Sequence, residues 1–184
     1  MSAMSANRCL CPSPLTSLMG LYAENRRLLA RLLPDETMTE GRYLSCIDDG
    51  LDLVVDVLSV HRYTLELRLS YELIDPVSGM PDPSAYVRVY RDSGQAEATH
   101  CYAGRHWQDV LGLRPSGDQV MRHRLRMNTF LCKWLDYLDG QGHHIGTLRA
   151  VGPVPVESSV ERRTCPADPM REQGSDVRID TQNA

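Results

Sequence analysis

Two stretches of the chain repeat apolar residues at the three- and four-residue spacing of an amphipathic helix. The first begins at Leu15, after a Ser13-Pro14 pair that suits an N-cap and a first helical turn. Pro34 ends it, because the residue before a proline disfavours the helical region. Its apolar face comprises Leu15, Leu18, Met19, Tyr22, Leu29, Leu32 and Leu33. The pattern predicts an N-terminal helix that buries one face.

The second helical stretch runs from about residue 118 to residue 138. Ser116 is suited to cap its start, and Gly140 is suited to end it. Its wide apolar face comprises Val120, Met121, Leu125, Met127, Leu131, Trp134, Leu135 and Leu138. This pattern predicts a C-terminal helix.

Between these helices we predict five strands, two of which (51–58 and 63–73) show the alternation with a period of two that is typical of strands. They are residues 42–47, 51–58, 63–73, 85–92 and 95–103. The alternation is clearest over 63–73, where Tyr and Leu alternate with Thr, Glu, Arg and Ser. Such a pattern predicts half-solvated antiparallel strands, and the turn Asp92-Ser93-Gly94 predicts that the last two form a hairpin.

The order of these elements predicts an α+β fold, a single two-layer domain. Its five-stranded antiparallel sheet is covered by the N-terminal and C-terminal helices. The domain is predicted to span residues 14–146. Residues 1–13 lack periodicity and are expected to be a flexible N-terminus. Residues 147–184 are polar and rich in proline, and they are expected to be a disordered C-terminal tail.

Composition narrows the class of protein further. A net charge of −4 argues against a protein that binds nucleic acids. No apolar run approaches the ~20 residues that span a bilayer, and the first residues lack the apolar core of a signal peptide. We therefore expect a cytoplasmic protein that does not enter membranes and whose six cysteines are free thiols.

Two amides fall on the apolar faces of the predicted helices. Asn25 lies between Tyr22 and Leu29, and Asn128 lies near Leu131. A buried amide without partners costs about 1–3 kcal/mol, so both are expected to be buried and hydrogen-bonded. We interpret them as structural polar pins that set helix register, with a ligand-orienting role as the alternative. Cys132, one turn beyond Asn128, is interpreted as packing.

Two groups of polar side chains are candidates for binding an anion or an acidic protein. One is a basic run on the last helix that centres on Arg122 and Arg126, for which a solvated helix face is the alternative. The other lies at the hairpin and comprises Arg88, Tyr90, Arg91 and Asp92. Arg105 and His106 lie near both groups in sequence.

The remaining clusters indicate no catalytic or metal site. Asp48, Asp49, Asp52 and Asp56 are interpreted as solvated side chains rather than as ligands of a divalent cation. His143 and His144 suit the negative end of the helix dipole. Cys9 and Cys11 lack two further zinc ligands nearby. No nucleotide-binding, hydrolase or metalloprotease motif is present, so we expect no cofactor.

Three blocks, YAENRRLLARLLP (22–34), YVRVYRDSGQAEA (86–98) and MNTFLCKWLDYLDGQGH (127–143), resemble the YqiB-like family. This is a proteobacterial family of unknown function, and the similarity spans about residues 15–144. The chain departs from the family pattern at Arg91, where the family has His, and at Arg122-His123, where it has an acidic pair. The matched positions are Asn25, Leu32, Leu33, Pro34, Arg88, Tyr90, Asp92, Glu97, Asn128, Phe130, Leu131, Trp134, Leu135, Gly142 and His143.

The resemblance implies an uncharacterised bacterial protein and brings no activity with it. We predict a non-enzymatic binding or interaction module with an acidic protein as partner. The alternative is a small enzyme or binder for an anionic, phosphorylated metabolite. A third hypothesis is a structural subunit that pairs its outer sheet face with another copy.

Overall fold

The computed structural model describes residues 12–73, 83–102 and 115–155. Two helices flank the first five strands in sequence: α1, Pro14–Leu32, and α2, Gly117–Gln141. A short 3-10 turn, Ile145–Thr147, precedes the final strand. The strands are β1 Gly41–Ser45, β2 Leu53–Val60, β3 Thr64–Tyr71, β4 Ser84–Tyr90, β5 Gln95–Tyr102 and β6 Leu148–Gly152.

The strands form one antiparallel sheet in the order β5-β4-β3-β2-β1-β6. The prediction of an α+β fold with an antiparallel sheet is confirmed, but the sheet has six strands rather than five. The additional strand is β6, which pairs with β1 through Ser45 and Leu148. Residues 148–152 thus form a strand of the sheet, although the sequence predicts a disordered tail there, beyond a domain end at residue 146. Residues 156–184 lie outside the described residues.

The core forms between one face of the sheet and the two helices. The predicted alternation is confirmed at the strand centres, where Leu53, Val55 and Val57 of β2 are completely buried. Leu65, Leu67 and Leu69 of β3 are equally buried and directed to the same face. The helices close this face with residues that include Leu28, Leu29, Leu32, Leu131, Leu135 and Leu138.

Local signals place the helix ends. The Ser13 hydroxyl accepts from the Thr16 amide at 3.1 Å, as the N-cap prediction required. At the start of α2, Ser116 and Gln119 form a reciprocal capping box. The predicted end at Gly140 is wrong, because α2 continues to Gln141. Gly142 ends it in the left-handed conformation (φ 99°), which glycine adopts without strain.

The opposite face of the sheet is less solvated than predicted. A polar row crosses five strands in register: Arg42, Asp56, Arg68, Tyr86 and His100 stand opposite one another in turn. Asp56 is completely buried, and Arg68 retains only 4% of its exposure. Asp56 accepts from Arg42 Nε at 2.7 Å and from Arg68 Nη2 at 2.7 Å. The prediction that Asp56 is a solvated side chain is therefore wrong.

Asp56 is held in its charged form by these two arginines. Burial alone would raise the pKa of its carboxyl group. The hydrogen bonds and charges of Arg42 and Arg68 outweigh burial and hold that pKa below its ordinary value. The charged carboxylate thus links β1, β2 and β3 on the face away from the helices.

We expect Asp56→Ala to lower the free energy of unfolding by about 3 kcal/mol, measured by urea denaturation at neutral pH. The buried Arg68 would lose its short bond to a carboxylate. Glu66→Ala is the matched control. It breaks the Arg88–Glu66 pair, whose side chains are 42% and 39% exposed, and should change stability by less than about 1 kcal/mol. Equal losses in the two variants would contradict the assigned role of Asp56.

Candidate functional site

Asn25 and Asn128 meet where the two helices cross the β5 edge of the sheet. Both side chains are fully buried. Asn25 Nδ2 donates to Asn128 Oδ1 at 3.1 Å. Asn25 Oδ1, by contrast, has no hydrogen-bond partner among the described residues. The amides predicted on separate helices are therefore one contact between α1 and α2.

Asn128 also completes the hydrogen bonding of an edge strand. Its Oδ1 accepts from the Ala98 backbone amide at 2.8 Å, and its Nδ2 donates to the Arg124 carbonyl at 2.9 Å. Because β5 lies at the end of the sheet, the outward amide of Ala98 has no neighbouring strand to bond. Asn128 thus supplies the acceptor that another strand would otherwise provide.

Glu97, one residue before Ala98, is the centre of a second group of polar contacts. Tyr22 donates to Glu97 Oε2 at 2.8 Å, and Tyr90 donates to Glu97 Oε1 at 2.7 Å. Arg124 lies 3.6 Å from the same carboxylate. Burial and the bond to Glu97 raise the pKa of Tyr22 to about 12, so this phenol stays protonated near neutral pH. The network joins α1, α2, β4 and β5.

The candidate anion-binding residues at the β4–β5 hairpin form hydrogen bonds with other groups of the protein. Arg88 donates to Glu66 at 2.7 Å, and Tyr90 belongs to the Glu97 network. Arg91 donates to the carbonyls of Asp35 and of His61. Asp92 accepts from the next backbone amide, that of Ser93. The hypothesis of an anion site here gains no support from this geometry. Its two remaining members, Arg105 and His106, lie outside the described residues.

Exposed cationic side chains lie on the outward side of α2. Arg122, Arg126 and Lys133 are exposed, and none forms an ion pair with any residue in the described part of the chain. Spacings of four and seven residues place them on one side of the helix. We call these three residues the basic row. Arg124, from the same run, instead contacts Glu97.

An open groove of about 340 Å³ adjoins the C-terminal half of this side of α2. We call it the aromatic groove, and it is lined by Tyr71, Pro83, Phe130, Lys133, Trp134 and Tyr137. Trp134 Nε1 donates to the Tyr71 hydroxyl at 3.0 Å, and their rings meet edge to face at 5.6 Å. The indole is thus fixed with its polar atom satisfied, which leaves a mainly apolar surface.

His143 and His144 do not behave as the helix-dipole interpretation expects. His143 is buried, and its Nδ1 lies 2.8 Å from the Ser45 hydroxyl. Burial lowers the pKa of His143, against the opposing effects of the Leu51 backbone and Asp52. His144 caps the 3-10 turn, where its Nδ1 accepts from the Gly146 amide at 2.9 Å. His143 therefore ties the end of α2 to β1 as a neutral ring rather than as a cation.

Cys132 is held in the thiol form, and the described cysteines, histidines and acids form no metal cluster. Cys132 packs against the core, and burial raises its pKa, which favours the unreactive thiol form. No group of three His, Cys, Asp or Glu residues is arranged to hold a metal ion in residues 12–73, 83–102 and 115–155. Cys9, Cys11 and Cys165 lie outside those ranges. Neither described helix is long and apolar enough to cross a membrane.

A family model described as "Protein of unknown function (DUF1249)" matches residues 28–144, well over half of the 184-residue chain. The chain belongs to this family. No curated protein and no solved structure shows a significant match. The match begins after Asn25 and ends before β6, so both the α1 amide and the sixth strand lie outside the part shared with the DUF1249 model.

The resemblance to the YqiB-like family singles out some residues of these hydrogen-bond networks that the hydrophobic pattern alone does not. Glu97 reads in the sequence as an ordinary polar position of a strand, yet the structure makes it a centre of hydrogen bonding. Ser45 gave no signal, because its partner His143 is distant in sequence. Tyr71 and Pro83 likewise join Trp134 only through the fold. Asn128 and Trp134, in contrast, were visible as residues of the last helix.

We expect Asn128→Ala to lower the free energy of unfolding by about 3 kcal/mol, because the Ala98 amide and Asn25 Nδ2 both lose their acceptor. Urea denaturation measures the loss, and faster hydrogen exchange at Ala98 localises it. Asn25→Ala should be milder, since Asn25 Oδ1 already has no partner among the described residues. Thr129→Ala, at an exposed neighbouring position, is the control and should change little. A loss in that control as large as in Asn128→Ala would contradict the network.

We expect stability to fall as pH drops from 7.5 to 5.5. The folded pKa of His143 is below its ordinary value, so the unfolded chain binds more protons in this range. Burial lowers the pKa values of His100 and His123 too, so variants must separate the contributions. His143→Asn should reduce the pH dependence, and His100→Asn and His123→Asn measure the contributions of the other two rings. An NMR titration that finds an ordinary or raised pKa for His143 would overturn this assignment.

Proposed function

We propose that this DUF1249 protein is a non-enzymatic binding module whose partner is an acidic protein segment that docks on the basic row. The observation that carries the proposal is the state of Arg122, Arg126 and Lys133. They are exposed, lie on one side of α2, and have no ion-pair partner in the described part of the chain. Clustered cations of this kind create a positive potential that attracts an acidic partner and speeds its association.

The contrast with other arginines supports this interpretation. Several of them pair with a carboxylate: Arg26 with Asp35, Arg27 with Glu24, Arg31 with Asp139, Arg42 with Asp56, and Arg88 with Glu66. The chain has 24 acidic residues and 20 Lys and Arg residues, so carboxylates are in excess. No carboxylate in the described part of the chain pairs with the basic row, and this supports the proposal that these charges contact another molecule.

The alternative functions have less support. A binder of a phosphorylated metabolite would need convergent free cations, but Arg88 and Arg91 are bonded within the protein. Pairing of the outer sheet face with a second copy would have to cover the polar row around Asp56 and Arg68. We also propose that the protein belongs to the YqiB-like group, comes from a proteobacterium and is located in the cytoplasm.

We expect a fluorescently labelled oligoglutamate peptide to bind the full chain at low salt, with affinity that falls as salt is added. Reversal of two charges, Arg122→Glu with Arg126→Glu, should weaken binding at least about ten-fold, because attraction becomes repulsion. Fluorescence anisotropy measures the affinity. Arg149→Glu, at an exposed position of β6, is a control for charge reversal elsewhere. Absence of binding, or equal weakening by this control, would refute the proposal.

A further inference from the structure

The aromatic groove beside the basic row indicates what the partner contains in addition to negative charge. Resting on the proposed function, we infer that the acidic partner carries an apolar anchor, a leucine or an aromatic side chain, which fills the aromatic groove. The partner is thus an acidic segment with an apolar residue among its carboxylates. Three features support the inference: the composition of the groove, its rigidity, and its continuity with the basic row.

The groove has the composition of a contact hot spot. Four of its six lining residues are aromatic, and Lys133 is its one charged member. Tyr137 is 56% exposed, so a large apolar ring stands at the mouth in contact with water. Interface centres are enriched in tryptophan and tyrosine, with the charged groups at their rim. Its volume of about 340 Å³ has room for a side chain rather than for a folded element.

The floor of the groove is already ordered. Trp134 bonds to the Tyr71 hydroxyl at 3.0 Å, and Phe130 packs against the same indole with ring centres 5.7 Å apart. Trp134 and Tyr71 are themselves buried, at 6% and 8% exposure. A site whose walls need not rearrange loses little conformational entropy on binding, which favours capture of a single anchor.

The basic row leads into the groove along one side of α2. Arg126, Phe130, Lys133 and Tyr137 succeed one another at spacings of four, three and four residues, which places them as neighbours on the helix surface. Lys133 belongs to both surfaces. A segment that lies along this side would place carboxylates against the cations at the same time as its apolar residue enters the groove.

Charge complementarity also selects among occupants. A second copy docked through the same two-fold contact would bring its own basic row towards this one, and like charges would oppose association. An acidic segment has the opposite charge and relieves the repulsion among the three cations. We therefore assign the groove to an acidic partner rather than to another copy of this chain.

The test compares two labelled peptides on the full chain: oligoglutamate, and the same peptide with one central leucine. The leucine peptide should bind roughly ten-fold more tightly, since burial of one leucine contributes at least that factor. Tyr137→Ser should remove most of this gain while leaving oligoglutamate binding intact. Tyr63→Ser is the matched control, because Tyr63 is also a half-exposed tyrosine and lies in the β2–β3 turn.

Each outcome bears on one claim. Binding of both peptides with equal affinity overturns the anchor inference and leaves the basic-row proposal standing, whereas binding of neither refutes the proposal itself. A gain that survives Tyr137→Ser places the leucine elsewhere and overturns the inference. A gain that appears only after Ile74, Val77 and Met80 are changed to serine shows that the chain's own β3–β4 connection occupies the groove, which also overturns it.

Discussion

The arrangement of this domain depends on one carboxamide. Asn128 accepts from Asn25 on α1 and from the Ala98 amide on β5 through the same oxygen. Its nitrogen bonds to the helix that carries it. The two helices and the sheet edge are thus joined at a single fully buried side chain. An apolar residue at this position would leave a buried strand amide without an acceptor, so the hydrophobic core alone does not satisfy this junction.

This contact fixes which side of α2 faces outward. A helix anchored by Asn128 and packed through Leu131 and Leu135 cannot rotate without moving the amide away from Ala98. The basic row and the rim of the aromatic groove then follow as the opposite side of the same helix. The orientation of the proposed binding surface is therefore a consequence of a hydrogen bond at the far side of α2.

Much of the fold could be predicted from the sequence, because burial leaves a local periodic pattern. The apolar face of β3 and the caps Ser13 and Ser116 are local signals, and the structure agrees with them. Strand β6 was missed because its residues are mainly exposed and carry no alternation of burial. The burial of Asp56 was missed for another reason. A polar residue on an outer face reads as solvated, and its pairing with Arg42 and Arg68 depends on strand register.

The candidate site was harder to predict than the fold, because it is formed by residues that are far apart in the sequence. The basic row could be predicted from spacing on one helix. The groove could not, because Tyr71 comes from the end of β3 and Trp134 from α2. The hairpin cations illustrate a different difficulty. Their sequence suggested a binding site, but a nearby carboxylate or carbonyl accepts from each arginine.

The distribution of charge separates two roles that composition alone does not distinguish. Around Asp56 the arginines are buried or partly buried against a carboxylate, and they link three strands of one sheet. On α2, Arg122, Arg126 and Lys133 are exposed and form no ion pair with the described residues. Buried pairs fix geometry, because breaking them leaves charges without solvent. Exposed unpaired cations contribute little to that geometry. Their clustering beside an ordered apolar groove is the basis of the proposed contact with a partner.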